Sequence, residues 1–289
     1  MRHFPLRLVV PALLAGLGLC TALLVGTLAS APAPVVIGVP PPDLPIESIS
    51  IESKSGSRLS GWLVHGQPLA GAVLLMHGIR ANRLEMLARA RLLYKQGFSV
   101  LLFDFQAHGE SPGRHITFGY LEAKDARAAF DYLRQVMPKE RIGIVGMSLG
   151  GAAAILADPP LEADAIVLEA VYASIDIAIE NRLAIWLGSA GRLLAPVLLW
   201  QVKPRLGFNP RLLCPADRIG GLRVPLLLIA GAADAHATLG EMHQLYERAS
   251  EPKELWVIAG ASHVDFQRYA PAEYEQRVAG FLKARLRAQ

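Results

Sequence analysis

Two kinds of hydrophobic pattern along the chain predict β-strands: alternating apolar and polar residues, and short runs that are apolar throughout. Residues 46–53 and 58–65 alternate apolar and polar positions on either side of a Ser-Gly-Ser turn, which predicts an antiparallel hairpin. Six later runs are almost entirely apolar, which is typical of strands buried on both faces of a parallel sheet. These runs are residues 72–76, 100–103, 142–145, 165–168, 225–229 and 255–258.

Segments with helical periodicity separate these runs. Apolar residues recur at three- and four-residue intervals in four segments, which are 83–96, 119–137, 238–249 and 271–286. Strand–helix alternation of this kind predicts an α/β fold, with helices on both faces of a mostly parallel central sheet. The domain is predicted to begin near Ile46 and to run to the end of the chain at residue 289.

The first thirty residues have a different pattern. Residues 8–29 carry no charge and consist mainly of Leu, Val, Ala and Gly. A run of about 22 residues is long enough to cross a hydrocarbon layer of roughly 30 Å, so residues 1–30 are predicted to form an N-terminal transmembrane segment. A cleaved signal peptide and a buried core helix are the alternatives.

The cations around this run predict its orientation. Arg2 and Arg7 precede it and the next cation is Lys54, so the N-terminus is expected in the cytoplasm and the body on the periplasmic or extracellular side. Cleavage of the segment would instead give a secreted protein. Residues 31–45 hold six prolines and are predicted to form an extended linker.

Composition and charge argue against several classes of protein. Hydrophobic residues make up 52% of the chain, which argues against disorder. The net charge is only +4, and no Lys/Arg cluster supports a nucleic-acid partner. Cys20 and Cys214 are too few for a disulfide framework, and no His and acidic residues have metal-ligand spacing. Neither a metal nor another cofactor is therefore predicted.

The most specific motif is Gly146-Met147-Ser148-Leu149-Gly150. It follows the apolar run 142–145 and precedes a helix-prone stretch at 151–157. A G-x-S-x-G sequence at a strand-to-helix turn is a nucleophile elbow, which exposes the serine hydroxyl. Ser148 is therefore predicted to be a catalytic nucleophile, with an ordinary glycine-rich turn as the alternative.

A serine nucleophile needs a base and an acid that orients it, and in this kind of fold they follow in the order serine, acid, histidine. Asp234 comes after the strand run 225–229, and His263 comes after the run 255–258. Asp234 is predicted to hold the imidazole of His263, which takes the proton of Ser148. Glu169 also ends a predicted strand and is the alternative acid.

Catalysis by this route also needs donors for the developing oxyanion. The backbone N–H of Leu149 follows the nucleophile, and that of Ile79 lies in the loop after the run 72–76, so both are predicted oxyanion-hole donors. His77 in the same loop is predicted to stabilise the loop.

Together these motifs resemble the α/β-hydrolases over about residues 46–287. The resemblance rests on MHGIRANR, LLFDFQAHGESPG, TFGYLEAKDARAAFDYL, GIVGMSLGG, LLLIAGAAD and PKELWVIAGASH, in that order. The D-x-x-x-H-G-x-S-x-G segment at 104–113 and the following Gly-Tyr-x-Glu are similar to the serine aminopeptidase-like and monoacylglycerol-lipase-like branch. Gln106 stands where those relatives usually carry Arg. The resemblance implies an α/β-hydrolase fold over 46–289, with a helical lid inserted at about 172–217.

The predicted function is hydrolysis of a small-molecule carboxylic ester through an acyl-enzyme intermediate, without a cofactor. An amidase or peptidase with the same triad and a catalytically silent binding protein of the same fold are the alternatives. Within the lid, residues 183–200 are almost entirely apolar. They are predicted either to pack as ordinary helices or to form an acyl-binding or membrane-facing lid. The oligomeric state is not predicted.

Overall fold

An eight-stranded sheet lies at the centre of the computed structural model, which describes residues 6–287. Its strands are ordered β10-β9-β8-β7-β4-β5-β3-β2, and a separate pair joins β1 to β6. In chain order the strands are β1 (Ala33–Pro34), β2 (Ile46–Glu52), β3 (Arg58–Val64), β4 (Ala72–Met76), β5 (Ser99–Phe103), β6 (His108–Gly109), β7 (Ile142–Met147), β8 (Ala165–Glu169), β9 (Leu226–Gly231) and β10 (Lys253–Ile258).

The pairing of the strands confirms the predicted sheet. β2 and β3 form the antiparallel hairpin, and β3 also pairs antiparallel with β5. All other neighbours in the large sheet are parallel. The carboxyl ends of these parallel strands therefore meet along one edge, where the loops that follow them gather.

Helices cover both faces of the sheet. They are α1 (Leu6–Ser30), α2 (Leu87–Lys95), α3 (Glu122–Val136), α4 (Leu149–Leu156), α5 (Ile175–Leu187), α6 (Ser189–Arg192), α7 (Ala195–Leu206), α8 (Pro215–Arg218), α9 (Leu239–Arg248), α10 (Phe266–Tyr269), α11 (Pro271–Tyr274) and α12 (Gly280–Leu286). A π-helical segment, Glu275–Ala279, joins α11 to α12, and short 3₁₀ turns lie at Arg83–Met86, Pro210–Leu212 and Ile219–Gly221.

The alternation of side chains along β4 shows how the core is divided. Leu74 and Met76 pack with α3, α4 and α9 on one face. Val73 and Leu75 pack with α2 and α12 on the other face. Because both faces of the strand are buried, its sequence is apolar at every position, as predicted.

Between β8 and β9 the chain forms the helices α5 to α8. This segment exposes several large apolar side chains, with Trp186 79% and Leu193 80% accessible. It corresponds in position to the lid that the resemblance implies.

The predicted N-terminal transmembrane segment is wrong. Among residues 6–287, no helix combines the length and apolar character needed to cross a membrane. The last turns of α1 lie instead against α7, where Gln201 Nε2 donates to Ala22 O at 3.1 Å and Arg205 Nη2 donates to Leu23 O at 3.0 Å. The apolar run alone does not distinguish a helix that contacts lipid from one that contacts protein.

The proline-rich segment 31–45 follows the surface of the body. Ala33 N donates to Ala107 O at 2.8 Å and Val35 N donates to Gly109 O at 2.9 Å, which forms the β1–β6 pair. Leu44 is buried in the same core as α2.

Candidate active site

Ser148 lies at a sharp turn between β7 and α4. Its backbone has φ 48° and ψ −108°, a left-handed conformation that disfavours residues with a side chain. The glycines on either side let strand and helix approach closely. A Cβ at Gly146 would come within 2.6 Å of Gly151 N, and a Cβ at Gly150 would overlap the carbonyl oxygen of Met76. The turn therefore has the geometry of a nucleophile elbow.

Hydrogen bonds hold both the backbone N–H and the backbone C=O of Ser148. Ser148 N donates to Glu169 O at 2.8 Å, and Ser148 O accepts from Ala152 N at 3.0 Å. Within residues 6–287 no hydrogen bond joins the hydroxyl to His263 or to another side chain, and Ser148 is half-buried. In enzymes without bound substrate, the hydrogen bond between a catalytic nucleophile and its base is often long, and it shortens only when substrate binds.

Asp234 and His263 are in direct contact. Nδ1 of His263 lies 2.7 Å from Oδ2 of Asp234. The other carboxylate oxygen accepts from the backbone N–H groups of His236 at 2.7 Å and Ala237 at 3.0 Å. These residues follow β9 and β10, so neighbouring parallel strands bring them to the same edge as Ser148.

The carboxylate of Asp234 is stabilised in its charged form. Burial alone would raise its pKa, but the hydrogen bond and charge of His263, together with the two N–H donors, outweigh burial and hold the pKa below its ordinary value. An ionised Asp234 keeps the proton on Nδ1 of His263, which leaves Nε2 able to accept a proton.

His236 lies beside His263. Its ring meets that of His263 edge-on, with 5.1 Å between the centroids. Burial, then the charges of Arg182 and His263, lower the pKa of His236. Asn181 of α5 donates to His236 O at 3.2 Å, so the segment α5–α8 is attached directly to the loop that carries Asp234.

The loop after β4 is held by His77, which is fully buried. Its Nε2 accepts from Phe105 N at 3.1 Å, so Nδ1 carries the proton and donates to Gly78 O at 2.7 Å. Burial, followed by the neighbouring His108, lowers the pKa of His77 to about 3, so the ring is neutral. His77 therefore stabilises the loop.

This contact also orients the predicted donor Ile79. In a trans peptide the C=O of Gly78 and the N–H of Ile79 point in opposite directions, so the N–H of Ile79 faces away from His77. A Cβ at Gly78 would lie 3.8 Å from Ser148 Cβ, which places this loop beside the elbow. The second predicted donor, Leu149 N, belongs to the first turn of α4, where N–H groups have no intrahelical acceptor.

Glu169 contacts neither His263 nor Asp234. Its buried carboxylate pairs with Arg89, at 2.6 Å from Nη2 to Oε2, and accepts a hydrogen bond from the Tyr274 hydroxyl. Gln106, which stands where the resemblance leads us to expect Arg, donates from its side-chain amide to Glu122 Oε1 at 2.9 Å.

Two further observations concern the surroundings of the site. Among residues 6–287, no group of three or more His, Cys, Asp or Glu side chains is arranged to hold a metal ion. Sequence reasoning missed Arg89, Glu85 and Tyr274, which surround Glu169 behind the elbow. The only sequence feature that could have indicated this cluster is the position of Arg89 within the apolar pattern of α2.

Comparisons with known proteins agree with this architecture. A sequence model of the alpha/beta hydrolase family matches residues 72–277. The uncharacterized protein Rv2307c of Mycobacterium tuberculosis is 33% identical over 228 residues, which cover 75% of this chain and 72% of the relative. The uncharacterized protein YqkD of Bacillus subtilis is 26% identical over 236 residues, covering 80% and 77%.

Among solved structures, an esterase of Pyrococcus furiosus superposes with a TM-score of 0.72 at 26% identity. The alignment covers 89% of this chain and 98% of the esterase. The narrower resemblance to the serine aminopeptidase-like and monoacylglycerol-lipase-like branch stays a prediction.

Proposed function

Because the chain belongs to the α/β-hydrolase family, we propose that it is a serine hydrolase that cleaves carboxylic esters of small molecules. The observation that carries the proposal is the 2.7 Å contact between His263 and Asp234, at the same sheet edge as the strained turn of Ser148. The similarity to an esterase at 26% identity supports an ester rather than an amide as the substrate.

The mechanism gives each predicted residue a defined role. Ser148 Oγ attacks the carbonyl carbon of the ester while Nε2 of His263 takes its proton, and Asp234 stabilises the resulting imidazolium. The N–H groups of Leu149 and Ile79 stabilise the oxyanion of the tetrahedral intermediate. His263 then protonates the departing alkoxide, which leaves an acyl group on Ser148. A water molecule, deprotonated by His263, releases the carboxylic acid and restores the serine.

Labelling with a fluorophosphonate tests the nucleophile. The full chain should be labelled, and Ser148→Ala should abolish both labelling and hydrolysis of p-nitrophenyl butyrate. Ser189→Ala, which changes a serine at the start of α6, should retain both and serves as the matched control. Labelling that survives in Ser148→Ala, or is absent from the wild type, would contradict the proposal.

Two series of substrates test the finer claims. The apolar side chains of the lid, such as Trp186 and Leu193, support a lipid-like acyl group. Rates on p-nitrophenyl esters should therefore rise from the acetate to chains of six or more carbons, and a preference for acetate would contradict this. Faster cleavage of matched anilides than of esters would identify an amidase.

A further inference from the structure

Arg89 of α2 is a buried cation surrounded by carboxyl groups. Its side chain is 1% exposed and contacts Glu169 through two nitrogens, with Nη2 2.6 Å from Oε2 and Nε 3.3 Å from Oε1. Nη2 also lies 3.0 Å from Asp265 Oδ1, and Nε donates to the Tyr274 hydroxyl at 3.0 Å. The charges of Arg89, Asp265 and Glu169 all act on the carboxyl group of Glu85, which belongs to the same cluster.

Each acidic residue of the cluster contacts a different part of the site, Glu169 through its backbone carbonyl and the others through their carboxyl groups. The carbonyl oxygen of Glu169 accepts the N–H of Ser148, so the residue that Arg89 holds also holds the elbow. Asp265 comes two residues after His263, and its carboxylate caps α10 through Gln267 N at 3.0 Å. Glu85 Oε2 accepts the N–H of Gly78 at 2.6 Å, in the loop that carries Ile79.

We propose that Arg89 is a positioning residue of the hydrolytic site, whose guanidinium holds the elbow of Ser148 and the loop of His263 in one arrangement. The inference rests on the proposed function, because it assigns Arg89 a role in that reaction. Arg89 contacts none of the three predicted catalytic side chains and acts through Glu169 and Asp265, which it contacts directly. A planar, always-charged guanidinium with several donors suits such a place better than a lysine.

The charge balance of the cluster makes the arrangement sensitive to pH. Burial raises the pKa of Glu85, the N–H of Gly78 and the charge of Arg89 lower it, and the carboxylates of Asp265 and Glu169 raise it. Arg89 is the stronger of the charged neighbours. A protonated Glu85 is a poorer acceptor for the N–H of Gly78 than the carboxylate is. The charge of Arg89 therefore favours the carboxylate form of Glu85, which is the better acceptor for the loop of Ile79.

A neutral pair tests this role without stranding the buried charge of Glu169. Arg89→Met alone would leave that carboxylate without its partner and destabilise the fold. The double variant Arg89→Met/Glu169→Gln removes both charges and nearly preserves the volume. Its control is Arg91→Met/Asp43→Asn, which neutralises an exposed ion pair between Arg91 of the same helix and Asp43. For each full-length variant, kcat and KM for p-nitrophenyl butyrate, the rate of fluorophosphonate labelling, the thermal midpoint and the pH profile are measured.

The neutral pair should lower kcat and the labelling rate about 100-fold with little change in KM, because small displacements of catalytic groups cost factors of that size. The acid limb of kcat/KM should move to higher pH. Adding Glu85→Gln should return the limb to its wild-type position, since an amide oxygen accepts the Gly78 N–H at every pH. The control pair should behave as the wild type in every measurement.

Other outcomes overturn the inference. If the neutral pair folds and keeps the wild-type kcat and labelling rate, Arg89 does not position the site. If kcat falls only in proportion to the fraction of unfolded protein, Arg89 has a purely structural role. If the pair does not fold, Arg89→Lys keeps the charge without the two-nitrogen contact. A lower kcat and labelling rate in this variant would then support the inference, and wild-type values would overturn it. A wild type without Ser148-dependent labelling refutes the proposed function itself, which is a separate result.

Discussion

Asp125 on α3 has its carboxylate buried between the β2–β3 hairpin and the segment after β5. Ser53 Oγ donates to its Oδ1 at 2.6 Å and Gln106 N donates to its Oδ2 at 2.9 Å. Burial nevertheless raises its pKa to about 7, because these hydrogen bonds only partly replace the lost hydration. A single side chain thus links the stability of the fold to pH near neutrality.

The sign of this dependence follows from proton binding. Between pH 3.8, the ordinary pKa of Asp, and about 7, the folded protein holds a proton on Asp125 that the unfolded chain has released. This contribution to stability is therefore lost as the pH rises through that interval. Asp125→Asn keeps the hydrogen-bonding groups without the charge, so its free energy of unfolding relative to the wild type should increase from pH 4 to pH 8.

Urea unfolding at several pH values measures the difference. Asp131→Asn changes an exposed carboxylate on the same helix and should not show this increase. Parallel pH curves for Asp125→Asn and the wild type would contradict the assignment.

Residues with a defined place in a motif could be predicted from the sequence, and residues joined only by the fold could not. Ser148, Asp234 and His263 each follow an apolar strand run in a characteristic order. Arg89, by contrast, meets Glu169 and Asp265 from positions far away in the chain. The helical spacing over 83–96 also does not reveal that Leu84 is 42% exposed while Arg89 is buried. The roles of the three motif residues stay predictions until they are tested.

At the scale of elements, the helices α4 and α9 both have glycine as their second residue, but the space around the two glycines differs. Gly150 and Gly240 each occupy the second position of a helix. A Cβ at Gly150 would overlap the backbone of Met76, whereas a Cβ at Gly240 would meet only Thr238 Oγ1 at 3.9 Å. The glycine of the elbow is therefore required by packing and that of α9 is not.

Alanine substitutions at the two positions should have opposite effects. Gly150→Ala should lower the free energy of unfolding by about 3 kcal/mol, because backbone atoms of β4 must move. Gly240→Ala should raise it by about 0.5 kcal/mol, since alanine is the better helix former. Denaturant unfolding of both variants measures this, and similar values would show that the elbow has room for a side chain.

The strands were predictable as elements because burial on both faces leaves a continuous apolar run. The same reasoning failed for α1, whose run of Leu, Val and Ala does not reveal that α7 is its neighbour. It also could not predict the two-residue pair of β1 and β6, because two residues are too few to show a period.

For the molecule as a whole, α1 connects α7 to the loop after β4. Arg205 of α7 donates to Thr27 Oγ1 at 2.6 Å and to Leu23 O at 3.0 Å. Arg80, the residue after Ile79, donates to Leu28 O at the end of the same helix. The N-terminal helix is thus attached to both sides of the proposed site.

Loss of the Arg205 contacts should loosen this connection. In Arg205→Ala, amide hydrogen exchange in residues 16–30 should accelerate roughly tenfold or more, because two hydrogen bonds at about 1 kcal/mol each are removed. Arg211→Ala, an exposed arginine on the same segment, should leave the exchange unchanged. Equal exchange in Arg205→Ala and the wild type would show that packing alone holds α1 in place.

The left-handed backbone of Ser148 has a consequence for the history of such chains. A side chain at this φ costs of the order of 1–3 kcal/mol, and glycine would avoid most of that cost. Stability alone would therefore favour replacement of the serine, and the proposed reaction supplies a reason to retain it. A descendant that no longer needed the reaction could drift to glycine here and become more stable, with its fold unchanged and its chemistry lost.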